Sequence, residues 1–105
     1  MDNLTITDVV RIVSDATGVS QRRIYRRDRH GDVAVARFMV YYILYYGLGM
    51  SFPKVGKAMN RTHATVMNGV AVAESWDKRN RFRDEFAIKN GAILEEIMNR
   101  LKRYQ

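Results

Sequence analysis

Thr62, His63, Ala64 and Thr65, with Asn68 about a turn further on, are the residues in this 105-residue chain whose types and spacing suit recognition chemistry. Thr62 reads as an N-cap, so the residues after it open a helix. A helix start offers unsatisfied backbone N–H groups and the positive end of a dipole, and both attract phosphate. Its first side chains point at base edges. His63 can hydrogen-bond a base acceptor or pack on a thymine methyl, Thr65 can accept, donate or touch that methyl, Ala64 can contact it, and Asn68 suits a bidentate pair with adenine. Lys54, Lys57 and Arg61 would straddle the sugar-phosphate backbone, with Thr62 beside them; such contacts hold register and carry no sequence information. The plainer alternative is a solvated helix start in which Thr62 only caps and His63 and Asn68 face water.

A second cluster precedes it. Arg22, Arg23, Arg26, Arg27 and Arg29 lie within eight positions of RRIYRRDRHGD. Like charges this dense repel in a packed helix, so a loop or frayed turn is expected over 22–32. Phosphate, which guanidinium grips bidentately, is its natural counter-ion; a mobile solvated loop is the alternative. Arg37 is the one charge in an otherwise apolar helix. It sits beside the arginine loop, placed for a minor groove or a phosphate. Enzyme chemistry has no residues to stand on. There is no Walker-type loop, no paired carboxylates and no nucleophile elbow, and the second histidine, His30, has no ligand partner at metal spacing. No enzyme activity, metal, cofactor or small-molecule substrate is expected.

These side chains need a scaffold, and the sequence supplies one. Ser51 is a good N-cap and Pro53 fits a first helical turn, where a missing N–H costs nothing. Val55, Ala58 and Met59 share a face, and Asn60 tolerates the left-handed conformation that stops a helix. After Thr62 the inward positions are Val66 and Val70. Ser51 to Gly69 is therefore a helix-turn-helix plan, which lays the start of its second helix in the DNA major groove.

The surrounding chain fits one all-α domain over 1–105. Thr5 and Thr7 offer caps for a helix striped by Ile6, Val9, Val10, Val13 and Ala16, ended by Gly18. Ser20 caps a short helix through Tyr25, with Ile24 as its core anchor. Gly31-Asp32 caps a central helix from Val33 to about Tyr46, apolar nearly all round and thus buried. Its tyrosines read as core rather than as base-stacking groups. A last helix over 81–104 carries Phe82, Phe86, Ile93, Ile97 and Leu101 on one stripe, with Leu94, Met98 and Tyr104 beside it and a kink conceivable at Asn90-Gly91. Trp76 is expected to pack on the first or the last helix.

Charge sharpens the picture. The net +7 divides as −2 over residues 1–19, +7 over 20–70 and +2 over 71–105. The whole excess thus surrounds the helix-turn-helix, as a phosphate-backbone binder requires. No cysteine is present, which fits a reducing cytoplasm. No apolar run approaches the roughly 20 residues that cross a bilayer, and MDNLTITD is not a signal peptide, so no membrane contact is expected.

ARFMVYYILYYGLGMSFPKVGKAMNRTHATV, residues 36–66, resembles the C-terminal DNA-binding domain of the bacterial replication initiator DnaA. Ala36-Arg37, Tyr42, Ser51, Pro53, Gly56, Arg61, His63, Thr65 and Val66 match that family's AR…Y…S-L-P-x-I-G…R-D-H-T-T-V signature. The resemblance implies a compact helical fold of the Trp-repressor/DnaA-C kind with a long C-terminal helix. It also implies a minor-groove role for Arg37 and major-groove reading by His63 and Thr65. The family's Asp is Thr62 here and its first Thr is Ala64, so an altered or relaxed sequence preference is expected. The family's ATPase domain is absent, so the sequence reads as an excised domain or a small stand-alone, phage-like protein of the nucleoid. The expected partner is double-stranded DNA at an origin-like site. A transcriptional regulator using the same surface, a protein-interaction domain working through its C-terminal helix, and nonspecific RNA binding by the arginine loop are the competing readings.

Overall fold

Local capping chemistry sets nearly every helix boundary. The computed structural model describes residues 4–104, and among the described residues there are six α-helices and no strand. Helix α1 (Ile6–Thr17) opens on a reciprocal cap. The Thr5 hydroxyl accepts the Asp8 N–H, and the Asp8 carboxylate accepts the Thr5 N–H. It closes at Gly18, whose φ of 78° places it in the left-handed region. Helix α2 (Gln21–Tyr25) starts at the Ser20 cap and buries Ile24. Arg22 and Arg23 lie in this helix, which ends at Tyr25 as expected, so the loop or frayed turn expected over 22–32 is confined to residues 26–30. The Ser20 cap favours this helix, and Asp28 offsets the crowded charge by pairing with Arg23 at 2.9 Å.

Helix α3 (Gly31–Tyr42) begins two residues earlier than the expected start at Val33, with His30 as N-cap in place of Gly31-Asp32, and continues through a π-helical turn over Ile43–Gly47. Val33, Ala36, Met39, Val40, Tyr41, Ile43 and Leu44 are fully buried, so α3 is the central rod. It packs against α1, α2 and α5. Tyr41 lies in the core, and Tyr45 stacks on Phe52 with ring centroids 4.3 Å apart.

Ser51 caps α4 (Phe52–Met59), with Pro53 in its first turn, and Asn60 ends it at φ 55°. Thr62 caps α5 (His63–Glu74) by accepting the Thr65 N–H. Two glycines set how closely these helices approach. A Cβ at Gly56 would stand 2.5 Å from the Arg61 carbonyl oxygen, so only glycine lets α4 meet the turn. A Cβ at Gly69 would stand 2.6 Å from the Tyr41 ring and 2.8 Å from that of Phe38, so α5 rests directly on α3.

The C-terminal part departs from the single expected helix over 81–104. Residues 75–84 form turns, and α6 spans Glu85–Leu101, followed by a 3-10 turn over Lys102–Tyr104. Asp84 fixes that start, because its carboxylate caps the Ala87 N–H at 2.8 Å. Phe82 consequently leaves the buried stripe and is 92% exposed, and Phe86 is half-exposed. Ala87, Asn90, Leu94, Ile97 and Leu101 form the inward face instead. Helix α6 runs unbroken through Asn90-Gly91; the glycine makes room for the Trp76 carbonyl rather than a kink. Trp76 is buried and meets Phe86 edge-on at 6.2 Å, so its partner is the last helix. The side chain of Tyr104 lies outside the described residues. Among the described residues no helix is long and apolar enough to cross a membrane.

Candidate nucleic-acid interface

The outer face of α5 is set by what its inner face buries. Val66, Gly69, Val70 and Ala73 turn to the core, which leaves His63, Ala64, Thr65, Met67, Asn68 and Ala71 exposed. The Thr62 hydroxyl serves the cap and also pairs with the Thr65 hydroxyl at 2.9 Å. That pairing pins the Thr65 side chain at the helix tip. Met67 is 47% exposed and was not singled out from the sequence. Its signal was there: it falls off the Val66, Val70, Ala73 stripe, so an apolar side chain had no core to enter.

Lys54 and Lys57 are exposed on α4. Opposite the α5 tip stands the 26–30 loop, with Arg26, Arg27 and Arg29 exposed and Arg22 exposed on α2. Between tip and loop runs an open groove of about 670 Å³. Arg27 and Arg29 of the loop line it together with Lys57, Thr62 and Thr65, and the largely buried Arg37 contributes to the lining. Of the sequence-selected groups, Arg27, Arg29, Arg37, Lys57, Arg61, Thr62 and Thr65 therefore line one space, whereas His63, Ala64, Asn68, Arg22, Arg23, Arg26 and Lys54 lie outside it.

Three arginines depart from expectation. Arg23 is half-buried and held by Asp28. Arg61 is also half-buried; it donates to the Met59 and Asn60 carbonyls, both at 3.0 Å, and across to the Arg26 carbonyl at 2.8 Å. Arg37 departs most. It is only 8% exposed, and its guanidinium turns inward onto backbone. Nε donates to the Ile24 carbonyl at 2.9 Å, Nη1 to Asp28 at 3.1 Å, and Nη2 to Arg23 at 3.2 Å and Arg26 at 2.5 Å. The reason is local: a five-residue helix leaves its last carbonyls without partners, and a buried cation at that end satisfies them. Burial first, then the neighbouring Arg61 charge, lowers the Arg37 pKa from its usual value; the group still stays charged near neutrality.

The loop has its own anchor. The Asp28 carboxylate accepts the His30 N–H at 3.0 Å, pairs with His30 Nδ1 at 2.6 Å and accepts Arg23 Nε at 2.9 Å. The His30 backbone bond, then the His30 side chain and Arg23, hold its carboxyl well below the usual carboxylate range. His30 thus belongs to the loop's internal structure. Among the described residues no three His, Cys, Asp or Glu side chains converge as metal ligands would.

A capped helix whose tip stands clear of the body, joined to a supporting helix through Asn60-Arg61-Thr62 and flanked by a basic loop, defines a helix-turn-helix domain. Residues 6–72 match the family described as the bacterial dnaA protein helix-turn-helix, and the chain belongs to that family of DNA-binding domains. It is similar to the chromosomal replication initiator protein DnaA of Oleidesulfovibrio alaskensis, with 28% identity over 71 residues covering 68% of this chain and 15% of that protein. It is also similar to chromosomal replication initiator protein DnaA 1 of Chlamydia pneumoniae, 26% identical over 87 residues, covering 83% of this chain and 19% of that protein. The corresponding Chlamydia muridarum protein is 27% identical over 82 residues, with coverage of 77% and 18%. The chain thus spans less than a fifth of the length of these relatives.

Proposed function

We propose that this domain binds double-stranded DNA with a sequence preference, laying the tip of α5 in the major groove and the 26–30 loop along the neighbouring sugar-phosphate rail. One observation carries the reading: Thr62 and Thr65 of the tip and Arg27 and Arg29 of the loop border the same open groove. In this reading His63, Ala64, Thr65, Met67 and Asn68 meet base edges. Met67 and Ala64 supply apolar surface for thymine methyls, and Asn68 suits adenine. Arg22, Arg26, Arg27, Arg29, Lys54 and Lys57 meet phosphates and set register. Thr62 and Ala64 replace the acidic and hydroxyl groups of the DnaA signature, so the preferred sequence differs from the usual DnaA box. The target is an origin-like or regulatory site, and a DNA ligand places the protein's work at the nucleoid.

Selection from a randomised duplex pool tests this directly. An enriched sequence is expected, and His63→Ala should cut the preference for it over random DNA by about tenfold, in line with ~1–3 kcal/mol per base contact. Binding to random DNA should stay within about twofold, since phosphate contacts supply that part. A pool that yields no enriched sequence, or a variant losing both affinities equally, overturns the base-reading assignment. A protein contact near the start of α6 is a second reading, favoured by the exposure of Phe82, Phe86 and Ile88. A partner held there would resist competition by duplex DNA.

A further inference from the structure

The structure assigns Arg37 and Arg61 a positioning role. Together they grip the backbone of the basic loop from beneath, so that Arg27 and Arg29, rather than Arg37, meet the nucleic acid. The inference rests on the DNA-binding reading for its ligand, but the grip itself is a property of the free protein.

The geometry is specific. Four of the five N–H groups of Arg37 are committed to carbonyls of residues 23, 24, 26 and 28. Those carbonyls span the end of α2 and the first half of the loop. The Arg26 carbonyl is the shared point: Arg37 reaches it from α3 and Arg61 from the turn between α4 and α5. That single oxygen therefore ties the loop to the helix that carries it and to the turn that launches the reading helix. A guanidinium so committed has one N–H left and little exposed surface for a base edge. It also keeps two like charges side by side, an arrangement the surrounding carbonyl dipoles make tolerable. Arg27 and Arg29 lie in the gripped segment yet are exposed at the groove. The grip fixes where they stand.

Lysine keeps the charge and removes the fork, so Arg37→Lys separates position from charge. Duplex affinity for the selected site is measured for Arg37→Lys in the native loop and in an Arg27→Ala/Arg29→Ala background, each checked for native helix content. Hydrogen exchange of the residue 23–30 amides is followed in parallel. The expected result is a loss of about fivefold or more in the native loop and less than about twofold in the alanine background, the non-additivity of residues acting as one unit. Faster exchange should be confined to 23–30. Equal loss in both backgrounds means that Arg37 meets DNA itself and overturns the assignment, as does unchanged exchange. Should Arg37→Lys fail to fold, Arg61→Lys, on a half-exposed side chain, carries the same two expectations. Absence of duplex binding by the unaltered protein would overturn the functional reading alone; exchange over 23–30 would then decide the grip.

Discussion

Two arginine-rich segments of this chain use the same composition in opposite ways. Residues 22–30 and 78–83 are both crowded with cations, and each lies beside one organising aspartate, Asp28 and Asp77. In the first, backbone and buried arginines do the anchoring, and Arg27 and Arg29 stand outward at a groove. In the second, Lys78, Arg79 and Arg83 are occupied close to home, while Arg81 is exposed. Arg79 grips Asp77 through Nε at 2.9 Å and Nη2 at 3.2 Å, Lys78 pairs with Glu95 at 3.4 Å, and Arg83 donates to the Trp76 and Asn80 carbonyls. This second loop also presents a phenyl ring, Phe82, to solvent. It also follows the far end of α5, roughly 18 Å from the tip at 1.5 Å per residue over twelve residues. Place and commitment, rather than a count of positive charge, separate the two segments.

The largest expected effect separates the loops by salt. Arg27→Ala with Arg29→Ala should lower the slope of log affinity against log salt by about 1.8, two contacts at ~0.9 each, and weaken duplex binding at least ~10-fold. Arg79→Ala with Arg81→Ala should leave the slope unchanged. Equal slopes for both pairs, read by fluorescence anisotropy across a salt series, would erase the distinction. A smaller effect comes from the two anchors. Asp28→Ala should weaken DNA binding about threefold to fivefold, because the loop loses its internal turn while the arginines remain, whereas Asp77→Ala should stay within about twofold.

The smallest effect is a matter of pH. Both carboxyls are depressed in the folded protein: Asp28 chiefly by the His30 backbone bond, and Asp77 to about 2, chiefly by the Arg79 side chain. A depressed carboxylate contributes stability that is fully present above its unfolded value near ~4 and is lost as pH falls through the folded value. Neither Asp28 nor Asp77 should therefore change its charge between pH 5 and 8. In acid the Asp77 contacts with Arg79 should weaken as pH falls through about 2, as carboxyl chemical shifts would show. A midpoint near the ordinary ~4 for either carboxyl would remove its anchoring role.

Much of this was legible from residue types alone. Thr5, Ser20, Ser51 and Thr62 cap the helices the sequence assigns them, and Gly18 and Asn60 stop theirs, because capping is a local interaction between neighbours. The outward face of α5 follows from helical period once Val66 and Val70 are taken as inward. Arg37 was the hard case. Its inward turn depends on carbonyls thirteen and fourteen residues away, a tertiary contact that local spacing does not report. Phe82 was misplaced for a related reason. Its spacing fits the α6 stripe, but Asp84 caps downstream of it and leaves the ring outside the helix. Met67 was overlooked because an apolar residue beside a core stripe reads as more core.

Gly69 carries a mechanical consequence. It sits six residues beyond His63 at the point where α5 bears on α3, so it works as a fulcrum with the recognition tip at the end of a lever roughly 9 Å long. Even one methyl there would wedge the pivot open against two aromatic rings, and the lever would convert that small displacement into a swing of the tip away from the arginine rail. A hydrogen atom in place of a side chain thus calibrates the span between reading and clamping groups.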